Sequence, residues 1–238
     1  MKITEHLYKT SGVEFGTNSN TFLLDCGDSL ACFDTGYEKL QWDVMENTRK
    51  MWGLSEKPVS HVFVTHGHFD HAGNINRLNT MGARVLAADP DAEKIEQRYP
   101  EMEQLFGRPW VLGRVDERLQ DQQIFEIGDR IRVTAIAAPG HSEGSFAFVI
   151  EVDGHRALCT GDMYYIRPKP PEDAVQIELA YMGGWDFSKS KFSRTLSRMS
   201  HLDCDILLPG HYYTWFGDVN RLSREAYRLL ESQEGIQE

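Results

Sequence analysis

The stretch FVTHGHFDHAGN, residues 63 to 74, places His66, His68, Asp70 and His71 within six positions, directly behind an apolar, β-branched run. Imidazole nitrogens and carboxylate oxygens are ligands shared by zinc, iron and manganese. His66 and His68 are two apart, so on an extended segment both side chains point the same way. Asp70 and His71 follow where the chain turns into a helix. The pattern differs from HExxH, whose two histidines share one helical face. Four ligand-type side chains this close can serve two ions at once. Three more positions carry the same chemistry. His141 lies in AAPGHSEGS, Asp162 in LCTGDMYY and His211 in LLPGHYY, each just past an apolar run. Sheet proteins place functional groups at such points.

The elements that must position these residues follow from periodicity and turn signals. NTFLLDCGDSLACFDTG reads as two short strands around a Gly-Asp-Ser turn. A helix is expected from Glu38 to Met51, with Leu40, Val44, Met45 and Met51 near helical spacing and Gly53 as its stop. VSHVFVT is a buried strand that delivers the chain to the histidine cluster. A short helix, the strand ARVLAAD and a helix opened by Pro90 come next. Residues 99 to 117 carry two prolines, two glycines, Phe106 and Trp110 without clear period. They read either as a lid or as a short helix packing its aromatics inward. Strands then dominate: QQIFEI, RIRVTAIAA, SFAFVIEV and RALCTGD, with Asp153-Gly154 as a hairpin turn. A loop with Pro168, Pro170 and Pro171 is expected from Met163 to Met182. A helix from Phe187 to His201, the strand CDILLPGH and a helix from Val219 to Ser232 close the chain. No clean linker appears, so one domain, 1–238, is expected.

Composition narrows the function. A net charge of −11 argues against binding a phosphate backbone, which needs clustered Lys and Arg. The opening MKITEHLYKTSG has no apolar core of a signal peptide, and no run approaches the roughly 18 apolar residues of a membrane span. The four cysteines show no CxxC spacing and read as free buried thiols in a reducing compartment. The expectation is therefore a cytoplasmic protein acting on a small molecule, without nucleic-acid or membrane partner, with homo-oligomerisation left open. His6, His61, His155 and His201 fall on none of the motifs and are read as ordinary structural histidines.

H-x-H-x-D-H, followed by a Gly-His, a Gly-Asp and a second Gly-His after successive strands, resembles the metallo-β-lactamase superfamily. The likeness runs from DCGDSLACFDTG, with Asp34-Thr35-Gly36, to LPGHYY. It implies an α+β fold, a four-layer αβ/βα sandwich. It implies His66, His68 and His141 as one metal site, and Asp70, His71 and His211 as a second. Asp162 resembles the carboxylate that bridges both ions, and Asp34 a residue that orients a ligand from behind. The implied cofactor is two divalent ions, zinc first, with iron or manganese as alternatives. The implied chemistry is hydrolysis by a metal-bridging hydroxide, because metal binding lowers the pKa of water to about 7.

Departures narrow the choice among lactone, ester and thioester. No Cys replaces Asp162, unlike one β-lactamase group. Glyoxalase II enzymes are similar around THGHFDHAGN but add a helical C-terminal domain, for which the stretch after His211 is too short. GDMYY puts Tyr165 three residues after Asp162, at the offset where acyl-homoserine-lactone lactonases carry a tyrosine. Tyr165 and Asp70 are the candidate catalytic side chains; whether Tyr164 or Tyr165 faces the site stays open. Arg167 and Lys169 are candidates for an anionic substrate tail. Other classes also remain: a phosphodiester or β-lactam hydrolase, a mononuclear iron dioxygenase acting on a persulfide, and a non-catalytic metal-binding module.

Overall fold

A computed structural model describes residues 1–11, 19–37, 39–169, 174–180 and 186–233. Among them, two six-stranded sheets form. The first runs β1 (Leu7–Ser11), β2 (Thr21–Asp25), β3 (Leu30–Phe33), then, after helix α1 (Lys39–Met51), β4 (Val59–Phe63). Helices α2 (Phe69–Ala72) and α3 (Ile75–Thr80) lead to β5 (Arg84–Ala87). Helices α4 (Asp91–Glu96) and α5 (Pro100–Phe106) lead to β6 (Glu117–Arg118). β1, β2 and β3 are antiparallel; β3 to β6 are parallel, and each parallel step is crossed by helix.

The second sheet is a meander of β7 (Ile124–Gly128), β8 (Ile131–Ala137), β9 (Phe146–Val152) and β10 (His155–Gly161). A two-stranded ribbon, β11 (Tyr164–Lys169) and β12 (Ala174–Leu179), and helix α6 (Lys189–Met199) precede β13 (Ile206–Pro209), which joins β10 in parallel. β14 (Trp215–Phe216) forms the edge, and α7 (Val219–Ser232) closes the chain. No described helix is long and apolar enough to cross a membrane.

The strands explain the layering. β3 sends Leu30 and Cys32 to one apolar cluster, shared with Met45 and Leu78 of the helices, and Ala31 and Phe33 to another. β9 sends Phe148 and Ile150 to that second cluster, and Ala147 and Val149 to a third, shared with Phe192 of α6 and Leu222 of α7. Period-two side chains, apolar on both faces, bury both faces of a sheet. Three cores separate four layers, helix–sheet–sheet–helix, which is the αβ/βα sandwich.

Asp153 and Gly154 have φ of 54 and 79, the conformation that turns the β9–β10 hairpin. All four cysteines are free. Three expectations are revised or resolved. The face of α1 turned inward is Gln41, Met45 and Arg49, while Leu40, Val44 and Met51 face solvent. Backbone carbonyls make that face tolerable: Gln41 donates to Ser19 O, and Arg49 to Ser55 O and Lys57 O. The stretch expected as a loop, 163 to 182, is mostly the β11–β12 ribbon. Pro168 sits opposite Val175 in a ribbon with no third strand, where a missing N–H is tolerated. Pro170, Pro171 and Met182 lie outside the described residues. In 99–117 the structure places a short helix, and of the two aromatics named there Trp110 packs inward while the side chain of Phe106 lies outside what is described. α5 ends at Gly107, and Tyr99 and Trp110 are buried, with the Trp110 ring 5.1 Å from that of Phe69.

Candidate metal centre

The strands of both sheets deliver the seven ligand-type side chains to one end of the sandwich. β4 ends at Phe63, and Thr65 opens the loop carrying His66 and His68; α2 carries Asp70 and His71. From the other sheet, His141 lies between β8 and β9, Asp162 directly after β10, and His211 directly after β13. They form two compact groups of potential ligands: His66, His68 and His141; and Asp70, His71, Asp162 and His211.

Hydrogen bonds decide which atoms each residue offers. Thr65 Oγ1 lies 3.0 Å from His66 Nδ1, and Ala180 O accepts from His141 Nδ1 at 2.8 Å. Both histidines therefore present Nε2 to the centre. His68 is turned the other way, with Nδ1 3.0 Å from His141 Nε2. In the second group, Asp162 Oδ1 lies 3.2 Å from His71 Nε2, and its Oδ2 lies 3.5 Å from His211 Nε2. Asp162 Oδ2 is also 3.7 Å from His141 Nε2, so one carboxylate touches both groups. Asp70 Oδ2 meets His211 Nε2 at 3.1 Å. The glycine before His211 permits this approach: a Cβ on Gly210 would collide with Asp162 Oδ1.

The donor set fits divalent cations. Among the described residues, His66 Nε2, His68 Nε2, His71 Nε2 and Asp162 Oδ1 are buried without a well-formed hydrogen bond. Buried polar atoms are rarely left so, and imidazole nitrogens and carboxylate oxygens gathered in two such groups suit a cation. Burial, reinforced by His71, His68 and His141, holds His66 well below the usual histidine range. Burial and then His68 take His141 down to about 4. Both keep free lone pairs at neutral pH. In the second group burial opposes charge, but Asp162, Asp70 and Asp34 hold His71 well above its usual value. Against burial, Asp162 and Asp70 push His211 up to about 10. Asp162 is kept well below the carboxylate range, against burial, by His71 and His211. Protons on His71 and His211 thus balance the two carboxylates, and a divalent cation among the same four side chains would displace them.

Asp34, at the end of β3, braces this group. Its Oδ1 accepts from the Thr65 N–H at 2.7 Å, and its Oδ2 accepts from Thr65 Oγ1 at 2.8 Å. The two tyrosines of β11 go opposite ways, as neighbours on a strand must. The Tyr165 ring lies 5.3 Å from the His211 ring. Burial, then the Asp162 carboxylate, holds its phenol well above the usual range. Tyr164 is fully buried, with its hydroxyl 2.8 Å from Ser223 on α7. Arg167 lies 4.4 Å over the Tyr212 ring and donates to Glu178 at 2.8 Å. Of the remaining histidines, His6 pairs with Asp153, His155 with Asp205, and His201 lies against Ser197 O.

Two site residues carry no sequence signal. Asp91 accepts from Gly67 N–H at 2.7 Å, Ser142 Oγ at 2.6 Å and Gly144 N–H at 3.2 Å, so it buckles the His66–His68 loop to the His141 loop. In the sequence it is one more acidic residue in a helix's first turn. Asp186 stands 3.6 Å from His68 Nε2. Only the tertiary fold brings either to the site.

Comparison with known proteins identifies the family and the fold. The family model described as the metallo-beta-lactamase superfamily matches residues 15–211. An atrochrysone carboxyl ACP thioesterase of Emericella nidulans is 25% identical over 68% of the chain and 45% of its own length. AgnL7 of Paecilomyces divaricatus, also an atrochrysone carboxyl ACP thioesterase, is 32% identical over 60% of the chain and 38% of its own length. The lactamase-like protein adaB of Aspergillus niger is 25% identical over 81% and 49%. The chain thus spans less than half the length of these curated relatives. Among solved structures, a metallo-beta-lactamase family protein of Thermus thermophilus superposes with a TM-score of 0.75 at 22% identity, covering 97% of this chain and 81% of its own. A metallo-beta-lactamase of Pontibacter korlensis gives 0.70 at 16%, covering 98% of each.

Proposed function

The chain belongs to the metallo-beta-lactamase superfamily, and from that premise we propose that it is a binuclear metal-dependent hydrolase of a lactone, ester or thioester. One observation supports the reading: the Asp162 carboxylate of the four-residue group lies 3.2 Å from His71 Nε2 and 3.7 Å from His141 Nε2 of the three-histidine group. His66, His68 and His141 would hold one ion, and Asp70, His71 and His211 the other, with Asp162 between them. Zinc suits this donor set, as do iron and manganese. When bound, such a pair supplies a water activated at neutral pH and positive charge for the carbonyl oxygen.

The chain's own residues do the rest. Asp34 fixes the His71 ring through Nδ1, so that Nε2 is the nitrogen presented. Asp70 contributes a carboxylate to the second group and accepts a hydrogen bond from the attacking water. The Tyr165 phenol, which burial and then the Asp162 carboxylate hold above its usual range, would donate a hydrogen bond to the oxygen that gains charge as the carbonyl is attacked. Asp70 would take the proton that the water gives up and pass it to the departing oxygen or sulfur as the bond to the carbonyl carbon breaks, so that an alcohol or thiol and a carboxylic acid result. No serine or cysteine nucleophile is needed.

Among the three carbonyl substrates, the thioester has the added support of relatives named as ACP thioesterases. The deciding experiment measures bound metal per chain and then screens thioesters, lactones, phosphodiesters and β-lactams. About two ions with thioester or lactone turnover supports the reading. A single iron with oxygen consumption on a persulfide sinks it.

A further inference from the structure

Beyond the seven candidate ligands, one carboxylate is aimed at the back of a ligand. Asp186 precedes α6 and lies near the three-histidine group. Lys94 Nζ donates to both of its oxygens at 2.7 Å, and the Tyr99 hydroxyl donates to Oδ2. Lys94 is on α4, one turn after Asp91, and lies 3.6 Å from Asp91 Oδ1. A single short helix therefore buckles two ligand loops through Asp91 and holds Asp186 through Lys94. Asp186 Oδ2 is 3.6 Å from His68 Nε2, which is an ion-pair distance rather than a full hydrogen bond. No other acceptor serves that buried nitrogen among the described residues.

His68 has two neutral tautomers, and they differ in consequence. With the proton on Nδ1, it donates to His141 Nε2, 3.0 Å away, and the three-histidine group closes on itself. With the proton on Nε2, it faces Asp186, and the Nδ1 lone pair is turned toward His66 and His141. Only the second form leaves three nitrogen lone pairs converging. The other two histidines are already locked by Thr65 and Ala180 O. Of the three, His68 alone has a side-chain carboxylate as the nearest acceptor to its outward nitrogen among the described residues.

We propose that Asp186, anchored by Lys94 and Tyr99, is a positioning residue that holds the His68 proton on Nε2 and so keeps the three-histidine group open to a cation. This rests on the reading that His66, His68 and His141 hold an ion. Asp186 contacts neither cation nor substrate; it acts through the imidazole, as carboxylates behind metal-bound histidines do. Lys94 and Tyr99 keep the carboxylate from turning away.

The test compares zinc-loaded wild type with Asp186→Asn, Asp186→Ala and Lys94→Met. Stepwise chelator competition reads the affinity of each group, and proton–nitrogen spectra of the imidazoles read the His68 Nε2–H. Both Asp186 variants are expected to weaken the three-histidine group by about 10- to 100-fold, with the four-residue group changed by less than about threefold. Lys94→Met should act in the same direction more weakly, and the His68 Nε2–H signal should shift or vanish in all three. Thermal melting confirms that each variant folds. If the Asp186 variants lower only the melting temperature, or weaken both groups equally, the carboxylate merely ties a loop to α4 and the proposal is overturned. If wild type binds no zinc, the metal-centre reading fails and the proposal with it. If wild type binds zinc and the variants bind it equally well, the proposal alone fails.

Discussion

Asp34 and His71 meet at 2.7 Å, Oδ2 to Nδ1, with both side chains buried. The carboxylate is anchored by two further bonds from Thr65, and its residue adopts a φ of 54, strained for a side chain with a Cβ. Removing it should let the imidazole rotate. Asp34→Ala is expected to weaken metal binding in the Asp70, His71, Asp162 and His211 group by about 10- to 100-fold. Chelator competition is the measurement, and unchanged affinity refutes the orienting role.

Asp162 belongs to the four-residue group and lies 3.7 Å from His141 Nε2 of the other. Asp162→Ala is expected to abolish the second ion and nearly all hydrolysis, because among the described residues no other carboxylate lies near both His71 Nε2 and His141 Nε2. Elemental analysis after dialysis checks it. Two tightly held ions in the variant would remove Asp162 from the bridging role.

The pH dependence has a definite sign. His71 and His211 are protonated at neutral pH without a cation, the latter with a value near 10. A raised histidine stabilises the metal-free fold below its unfolded value of about 6.5, and the effect is lost as pH rises through the folded one. A metal ion competes with the same protons. Apparent affinity of the four-residue group should therefore rise with pH between about 6 and 9, and binding should release protons. Calorimetry in buffers of different ionisation enthalpy reads that release. Affinity independent of pH across this range contradicts it.

Tyr165→Phe removes the hydroxyl that faces Asp162 and keeps the ring beside His211. Loss of an oxyanion donor typically costs about 2.7–4 kcal/mol, roughly 10²–10³ in kcat. An ion beside the same oxygen shares that load, so the lower end is expected. Tyr164→Phe breaks only the bond to Ser223 in the core and should leave kcat nearly unchanged while lowering stability by about 1 kcal/mol. A Tyr165→Phe kcat within about twofold of wild type, roughly 0.4 kcal/mol, excludes the donor role.

Individual elements were legible where period and turn chemistry were strong, as in the Asp153-Gly154 hairpin and the helix ending at Ser232, whereas the four-layer arrangement followed only from the motif series' resemblance to the metallo-β-lactamase superfamily. α1 shows where locality fails. Its apolar spacing named Leu40, Val44, Met45 and Met51, of which only Met45 is buried; Gln41 and Arg49 complete the inward face by donating to the Ser19 and Lys57 carbonyls. The seven ligand-type positions announced themselves by residue type at strand ends. Asp91 and Asp186 did not, because an acidic residue in a helix's first turn or in a loop is ordinary until the fold shows what it faces. The choice between Tyr164 and Tyr165 also needed the strand's facing, which residue order alone leaves open.

The two ligand groups draw on both sheets, and their residues are scattered from position 66 to position 211. An ion shared by α2 of one half and Asp162 of the other would act as a non-covalent staple between the halves. His66, His68, Asp70 and His71 are close enough in sequence to capture a cation before the chain collapses. His141, Asp162 and His211 join only once the second sheet has docked. Metal added during refolding should therefore bind the early segment first and speed the docking step, whereas metal added afterwards should chiefly slow unfolding.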